Sequence, residues 1–324
     1  MRRAAALTAL ALYPLLAQTP TLRTTVRLVV APTTVTDSKG RYAEGLSASD
    51  FELYDNGKRR EIRAEALYEP ISMVLAVQAS SFSAEAINKT RRIASFIEPL
   101  LAGERGEAAV VTFDSQVRVL QQLTGDFDLV SRAMRALSPG DEGAGMIDAV
   151  LESVRMLAAQ PPERRRILLL FGETRDRSSK ARLAEAITAA QLNNVTVYPV
   201  TYSAYLTAFT SKPGTTPSPS SAGINIIAIL REIGRLAKTN TTEALAEYTG
   251  GRRLSFNRQK SLEDALTEIG REVHSQYLLT FEAGAGEDAV YHALEVKLPR
   301  HPGLHARTRP GYWLTPPDET GPRP

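Results

Sequence analysis

From residue 70 to residue 273, short apolar runs alternate with longer segments whose apolar residues recur at helical spacing. That rhythm limits the chain to a narrow set of folds. The runs fall at 72–77, 107–113, 117–121, 166–171 and 195–201, and the helical segments at 84–101, 127–137, 145–159 and 180–193. Strands that alternate with helices pair in parallel, and a parallel strand buried on both faces reads as a continuous apolar run. The expected fold class is therefore α/β, a doubly wound and mostly parallel sheet with a Rossmann-like arrangement of helices on both faces. The link Phe-Asp-Ser-Gln at 113–116 is too short for a crossover, so the second and third strands are expected to pair antiparallel. Helices at 227–238, 242–248 and 261–273, with a short strand at 252–255, complete the unit.

Outside this region the period drops to two. The stretches "TTVRLVVAPTTVTDSKG" and "DFELYDNGKRREIRAEALYE" read as hairpins, with turns at Asp37-Ser38-Lys39-Gly40 and Asp55-Asn56-Gly57-Lys58. The acidic spacing there matches no calcium loop. Alternation returns in "SQYLLTFEA", "VYHALEVKLP" and "HARTRPGYWL", read as three strands that pair with the N-terminal hairpins in a small β unit made by both chain ends. The expected division is a signal peptide at 1–17, an N-terminal β segment at 18–69, an α/β domain at 70–273, a C-terminal β segment at 274–314 and a disordered tail at 315–324.

"MRRAAALTALALYPLLAQTP" sets two arginines ahead of an apolar run that closes on small residues, the layout of a secretory signal with cleavage near Ala17. The run is short for a permanent anchor, and no later stretch reaches the ~18 apolar residues of a membrane span. The protein is thus expected to be periplasmic or secreted. It has no cysteine, which excludes disulfides and thiolate chemistry. Its 39 basic and 36 acidic residues are scattered, so a net charge of +3 implies no nucleic-acid stripe. The stretch 211–223 is rich in Pro, Ser and Gly and reads as an excursion from the fold.

Several stretches, in their order along the chain, carry a resemblance: "VTDSKGRYAEGLSASDFELYDNGKRREI", "AAVVTFDSQVRVLQQLTGD", "YTGGRRLSF", "SQYLLTFEA" and "TRPGYW". Together they resemble the von Willebrand factor type A fold, and more closely the bacterial secreted proteins related to it. The resemblance covers nearly all of the chain after the signal. It implies a metal-ion-dependent adhesion site at the C-terminal edge of the sheet: Asp-x-Ser-x-Ser after the first strand, Thr in a middle loop, and Asp after the fourth strand. Mg²⁺ suits such a set of hard oxygens and leaves one position for an acidic group of a partner.

Carried over residue by residue, that motif falls on Gln78, Ser80 and Phe82, with Ser81 and Ser83 close by; the Thr falls on Ala144, with Asp148 retained. The last Asp falls on Gly172 or, shifted by one, on Glu173. An amide in place of a carboxylate removes one unit charge from the cation's shell, which at ~4 Å and an effective dielectric near 20 is on the order of 4 kcal/mol per unit of cation charge. Neither cofactor nor metal is therefore expected, the alternative being a displaced site built from Glu173, Asp176 or Asp141. The stretch "GETRDRSSKAR" sets Glu173, Arg175, Asp176, Arg177 and Lys180 near Ser80 to Phe82. An arginine there could grip the acidic group that a metal would have held. The other reading is a salt-bridged loop in which Asp176 and Ser178 or Ser179 cap the next helix.

Other chemistry is hard to find. His301 and His305 are separated by Pro and Gly, and His274 and His292 have no acidic neighbour at a spacing that implies a triad. Asp141 and Glu142 are adjacent and point apart. No Gly-x-Ser-x-Gly, His-Glu-x-x-His or phosphate-loop motif occurs. Tyr277, Phe281, Tyr291, Tyr312 and Trp313 read as core between sheets, with Trp313 open to exposure. The expectation is a non-enzymatic module that binds a protein partner through loops 80–83, 141–145 and 172–180. The alternatives are metal-dependent adhesion through a rearranged site, or an extracytoplasmic enzyme with dispersed active residues.

Overall fold

A computed structural model describes residues 27–66, 70–97, 103, 105–202, 226–283 and 291–313. The expected signal peptide, the 211–223 excursion, the loop at 284–287 and the tail at 315–324 lie outside these residues. In chain order the strands and helices are β1 (Arg27–Asp37), β2 (Glu52–Asp55), β3 (Lys58–Arg60), β4 (Arg63–Ala66), β5 (Ile71–Gln78), α1 (Ala84–Arg91), α2 (Ala94–Ile97), β6 (Glu107–Phe113), β7 (Val117–Thr124), α3 (Phe127–Arg135) and α4 (Met146–Ala158). There follow β8 (Arg165–Gly172), α5 (Leu183–Leu192), β9 (Val195–Tyr202), α6 (Ile226–Thr239), α7 (Thr241–Thr249), β10 (Leu254–Phe256), α8 (Gln259–Ser275), β11 (Tyr277–Ala283), β12 (Tyr291–Lys297), β13 (Leu304–Arg307) and β14 (Gly311–Trp313).

Every residue of β5 is buried, and its alternate side chains serve two cores. Met73, Leu75 and Val77 pack with Ile87, Val130, Met134, Leu266 and Ile269 of α1, α3 and α8; Val74 and Ala76 pack with Val150, Leu157, Ile187 and Leu245 of α4, α5 and α7. A strand apolar on both faces can only lie between two layers of helix. Accordingly β5 is central in a six-stranded sheet of order β10-β9-β8-β5-β6-β7, with all pairs parallel except β6 and β7. The strand order reverses at β5, so the loops that follow β5, β6 and β8 meet at the C-terminal edge of the sheet, where open α/β folds place their sites.

The chain ends build two further four-stranded sheets, β13-β1-β11-β4 and β14-β12-β2-β3. They enclose a core of Val29, Ala31, Val35, Leu53, Tyr277, Phe281, Leu294 and Tyr312. Asn56 and Gly57 both have positive φ (50° and 76°), which suits the two-residue turn between β2 and β3. The first expected hairpin is reduced to the isolated bridge Thr36–Tyr42, because β1 pairs instead with β11 and β13.

Three expectations need correction. The helix read over 84–101 breaks after Arg91: the amides of Arg92 and Ile93 bond back three residues, and the Thr90 hydroxyl donates to the Ala86 carbonyl, which bends a helix. The last C-terminal stretch holds two strands, since Pro310 cannot donate to a ladder and Arg309 turns into the protein. Trp313 is buried, because β14 packs against α5. Among the described residues no helix is long and apolar enough to cross a membrane.

Candidate functional site

At the end of β5 the chain turns polar but stays dry: Gln78 and Ser80 are fully buried, as is Ser83. Gln78 Oε1 accepts the Glu173 backbone N–H (2.9 Å), and Gln78 Nε2 donates to Ser80 Oγ (2.8 Å). Ser80 Oγ lies 2.8 Å from Ser83 Oγ, which in turn is hydrogen-bonded to the Tyr202 hydroxyl. The Tyr202 ring meets Phe256 edge-on at 6.1 Å. Burial first, against the hydrogen bond from Ser83, pushes the Tyr202 hydroxyl up to about 12, so it stays protonated and the whole chain of groups is neutral.

Gly172 explains why Gln78 fits. A Cβ at position 172 would come within 2.8 Å of Gln78 Oε1 and 3.6 Å of Met146 Cε, so the space beside β8 is filled by those two side chains. Ala144 is buried; its N–H donates to Ser178 Oγ (2.6 Å) and its carbonyl accepts from the Arg177 N–H (3.0 Å). Phe82 breaks the pattern. Lying close to two buried serines, it is 64% exposed, the most exposed large apolar side chain among the described residues.

Five acidic groups of this edge, Asp114, Asp141, Asp148, Glu173 and Asp176, are committed nearby. Asp176 accepts from the Ile147 N–H (3.1 Å) and from Ser179 Oγ (2.5 Å), and Ser179 Oγ accepts from the Asp148 N–H (3.1 Å). These are the open amides of the first turn of α4, so Asp176 caps α4 and not the next helix as the sequence suggests. Asp148 returns the contact by accepting from the amides of Lys180 and Ala181, both at 3.0 Å. Glu173 pairs with Arg177 at 2.8 Å, while Arg175 Nε donates to the Thr239 carbonyl (3.2 Å) and so turns towards α6.

Asp141 accepts from the Ser115 and Gly143 amides and from Ser115 Oγ, and those bonds hold its carboxyl below the usual range. Its own carbonyl accepts the Ser81 N–H (2.8 Å), joining the 139–145 loop to the β5 turn. Asp114 is pushed up by burial but more strongly held down by Arg118 and by the Gln116 and Asp141 amides. Gly140 permits that geometry, since a Cβ there would lie 1.8 Å from Asp114 Oδ2.

The structure thus gathers Gln78, Ser80, Gly172 and Glu173 into one cluster, with Phe82 on its rim. Ala144, Asp148 and Asp176 form a second cluster around the start of α4, and Arg175 joins neither. Among the described residues no group of three or more His, Asp or Glu converges as metal ligands would. Ser83 belongs to the expected 80–83 loop, whereas Tyr202 and Met146 lie outside every loop the sequence marks. Position 202 falls one residue past the expected strand end, and nothing local marks it as a partner of Ser83.

Two histidines do meet carboxylates, both within the β unit: on the surface His301 Nε2 lies 3.0 Å from Asp50 Oδ1, and a second pair is buried. His292 Nδ1 lies 2.7 Å from Asp55 Oδ1, a pair the spacing did not suggest because β2 and β12 meet from opposite ends of the chain. Both residues are buried within the β unit, where Arg60 and Tyr312 share the same carboxylate. The pair is a structural knot.

The α/β unit has the von Willebrand factor type A fold: one antiparallel edge strand on a parallel sheet, with the loops after β5, β6 and β8 clustered over the central strands. No protein-family model and no curated protein matches the chain. Among solved structures it is similar to BatB from Bacteroides thetaiotaomicron, described as a conserved hypothetical protein, at 14% identity over 62% of this chain and 99% of that one (TM-score 0.41). It is similar to a von Willebrand factor type A protein from Catenulispora acidiphila at 14% identity, over 78% of this chain and 51% of that one (TM-score 0.45). Proximal thread matrix protein 1 from the mussel byssus, in a form with a zinc-occupied MIDAS motif, is 11% identical over 69% of this chain and 50% of that one (TM-score 0.45). The chain spans about half the length of the last two.

Proposed function

We propose that this is a periplasmic or secreted, non-enzymatic protein-binding module whose partner meets the face formed by 80–83, 141–145 and 172–180 and needs no divalent cation to do so. The observation that carries the reading is Phe82, a large apolar side chain held 64% exposed by a turn that also carries the buried Ser80 and Ser83. A buried polar chain beneath and hydrogen-bonded loops around it keep that turn rigid, which suits an aromatic anchor of an interface. The secretory layout of residues 1–17 supports the location.

The residues present do not fit a type A metal centre. Mg²⁺ asks for free carboxylates in near-octahedral array. Here the first motif position is an amide whose oxygen already accepts the Glu173 N–H, the second serine is Phe82, the threonine is Ala144, and Met146 stands beside Gly172. The candidates for a displaced site, Glu173, Asp176 and Asp141, each bind a different partner and face no common point.

The test is photo-crosslinking from position 82 in the mature chain to identify the partner, followed by affinity measurement. Phe82→Ala is expected to weaken binding about tenfold or more, as hot-spot aromatics do, with no change in thermal midpoint. Leu120→Ala, on β7, serves as the control. Unchanged affinity in Phe82→Ala would sink the reading.

A further inference from the structure

We infer that Gln78, together with Gly172, does in this chain the tying that a bound ion does in a metal-dependent type A site. It fixes the ends of β5, β8 and β9 to one another with no ligand present. One side chain makes both contacts: its carbonyl oxygen takes the N–H of Glu173 just past β8, and its amide nitrogen takes Ser80 in the turn after β5. Ser80 and Ser83 extend the chain to Tyr202 at the end of β9. Directed hydrogen bonds that satisfy each other in a dry interior hold their geometry without a charge. With Gln78 donating to Ser80, each serine can donate onward, so that every hydroxyl oxygen in the run has a proton to accept.

Gly172 is the second half of the device. The Gln78 amide fills the place a side chain at 172 would occupy, with Cβ 2.8 Å from Oε1, so a side chain at 172 would push that amide off its bonds to Glu173 and Ser80. The two departures from the metal motif are therefore one coupled change. Its consequence, resting on the proposed protein-binding face, is that the loops are set before the partner arrives. The partner then supplies no acidic group to complete a shell, and preorganisation lowers the cost of association.

The experiment uses the mature chain without any partner, so a failure to find one leaves its outcome untouched. Backbone hydrogen exchange is followed at Glu173 and, for comparison, at Leu169 within β8. In the wild type the Glu173 amide is expected to exchange at the same rate, and the thermal midpoint to stay the same, in excess Mg²⁺ and in chelator. Gln78→Ala is expected to speed exchange at Glu173 about tenfold, the equivalent of one net hydrogen bond, and to leave Leu169 unchanged. If that variant folds poorly, Gln78→Met keeps the length without the acceptor. Gly172→Ala is expected to lower the midpoint in the wild type and to be nearly neutral in Gln78→Ala, because the contact it makes is gone. A saturable Mg²⁺-dependent rise in midpoint or in Glu173 protection would overturn the inference. So would strictly additive effects of the two substitutions, or unchanged exchange at Glu173 in both Gln78 variants.

Discussion

Glu272→Ala is expected to destabilise the folded chain by about 3 kcal/mol, the lower end of the cost of removing one partner from a buried ion group. Glu272 is 1% exposed on α8, within the last two turns before the chain enters the β unit. Its carboxylate pairs with Arg252 Nε (3.1 Å), from the loop before β10, and with Arg307 of β13. Arg307 in turn donates to the Gly251 carbonyl (2.6 Å) and to Thr34 of β1 (3.2 Å). The group therefore ties the β unit to the α/β sheet at one point. The two guanidinium side chains remain about two-fifths exposed, 38% and 39%, so water partly screens them once the carboxylate is lost, which sets the lower end of the range. Urea unfolding at neutral pH reads the effect, and Glu272→Gln, which keeps an acceptor, is expected to lose less. A loss below about 1 kcal/mol would mean that the arginines find other partners at no cost.

How far the sequence reaches can be judged from single positions. The α/β rhythm was legible because β5 and β8 are apolar on both faces, a pattern that only a two-layered sheet satisfies. The pairing of the chain ends was legible as alternation, yet its register was not. β1 ends at the expected turn, yet it takes its ladder partners from β11 and β13, which lie more than two hundred residues on and which no local turn records. Arg309 shows the limit most clearly. Written between Thr and Pro it reads as surface, but it is 3% exposed, donates to the Gln191 carbonyl of α5 and lies 5.9 Å from the Tyr312 ring centroid.

At the candidate site, positions 78, 80, 144 and 172 or 173 follow from the resemblance to the type A motif, carried over residue by residue. What replaces the missing ligands does not follow from it, since Tyr202 is 119 residues from Ser83 and the filling of the site depends on the length of Gln78 against the absence of a side chain at 172. Asp176 makes the same point: its spacing before α5 suggested a cap for that helix, whereas α4 lies alongside and offers its unbonded amides first.

The buried knot of the β unit governs the response to acid. Asp55 Oδ2 accepts from Arg60 Nη2 (2.7 Å) and from the Tyr312 hydroxyl (3.2 Å), while Oδ1 faces His292 Nδ1. Burial pushes the Asp55 carboxyl up, but the hydrogen bonds from His292 and Arg60 outweigh it and hold the group below its ordinary value. A carboxyl whose folded value is depressed stabilises the fold fully above its unfolded value, near ~3.9, and loses that contribution as pH falls through the folded value. The wild type should therefore lose stability steadily on acidification below about pH 4, with Asp114, held down mainly by Arg118 against its burial, adding to the slope. Asp55→Ala is expected to cost about 3–5 kcal/mol at neutral pH, because three polar side chains lose the acceptor they share. Asp55→Asn, which cannot titrate, is expected to be less stable than the wild type at neutral pH but to lose less on acidification, so that the two curves converge in acid. Urea midpoints across the pH range would show it; parallel curves would mean that Asp55 gains nothing from its neighbours in the folded state and that the acid sensitivity belongs to other carboxylates.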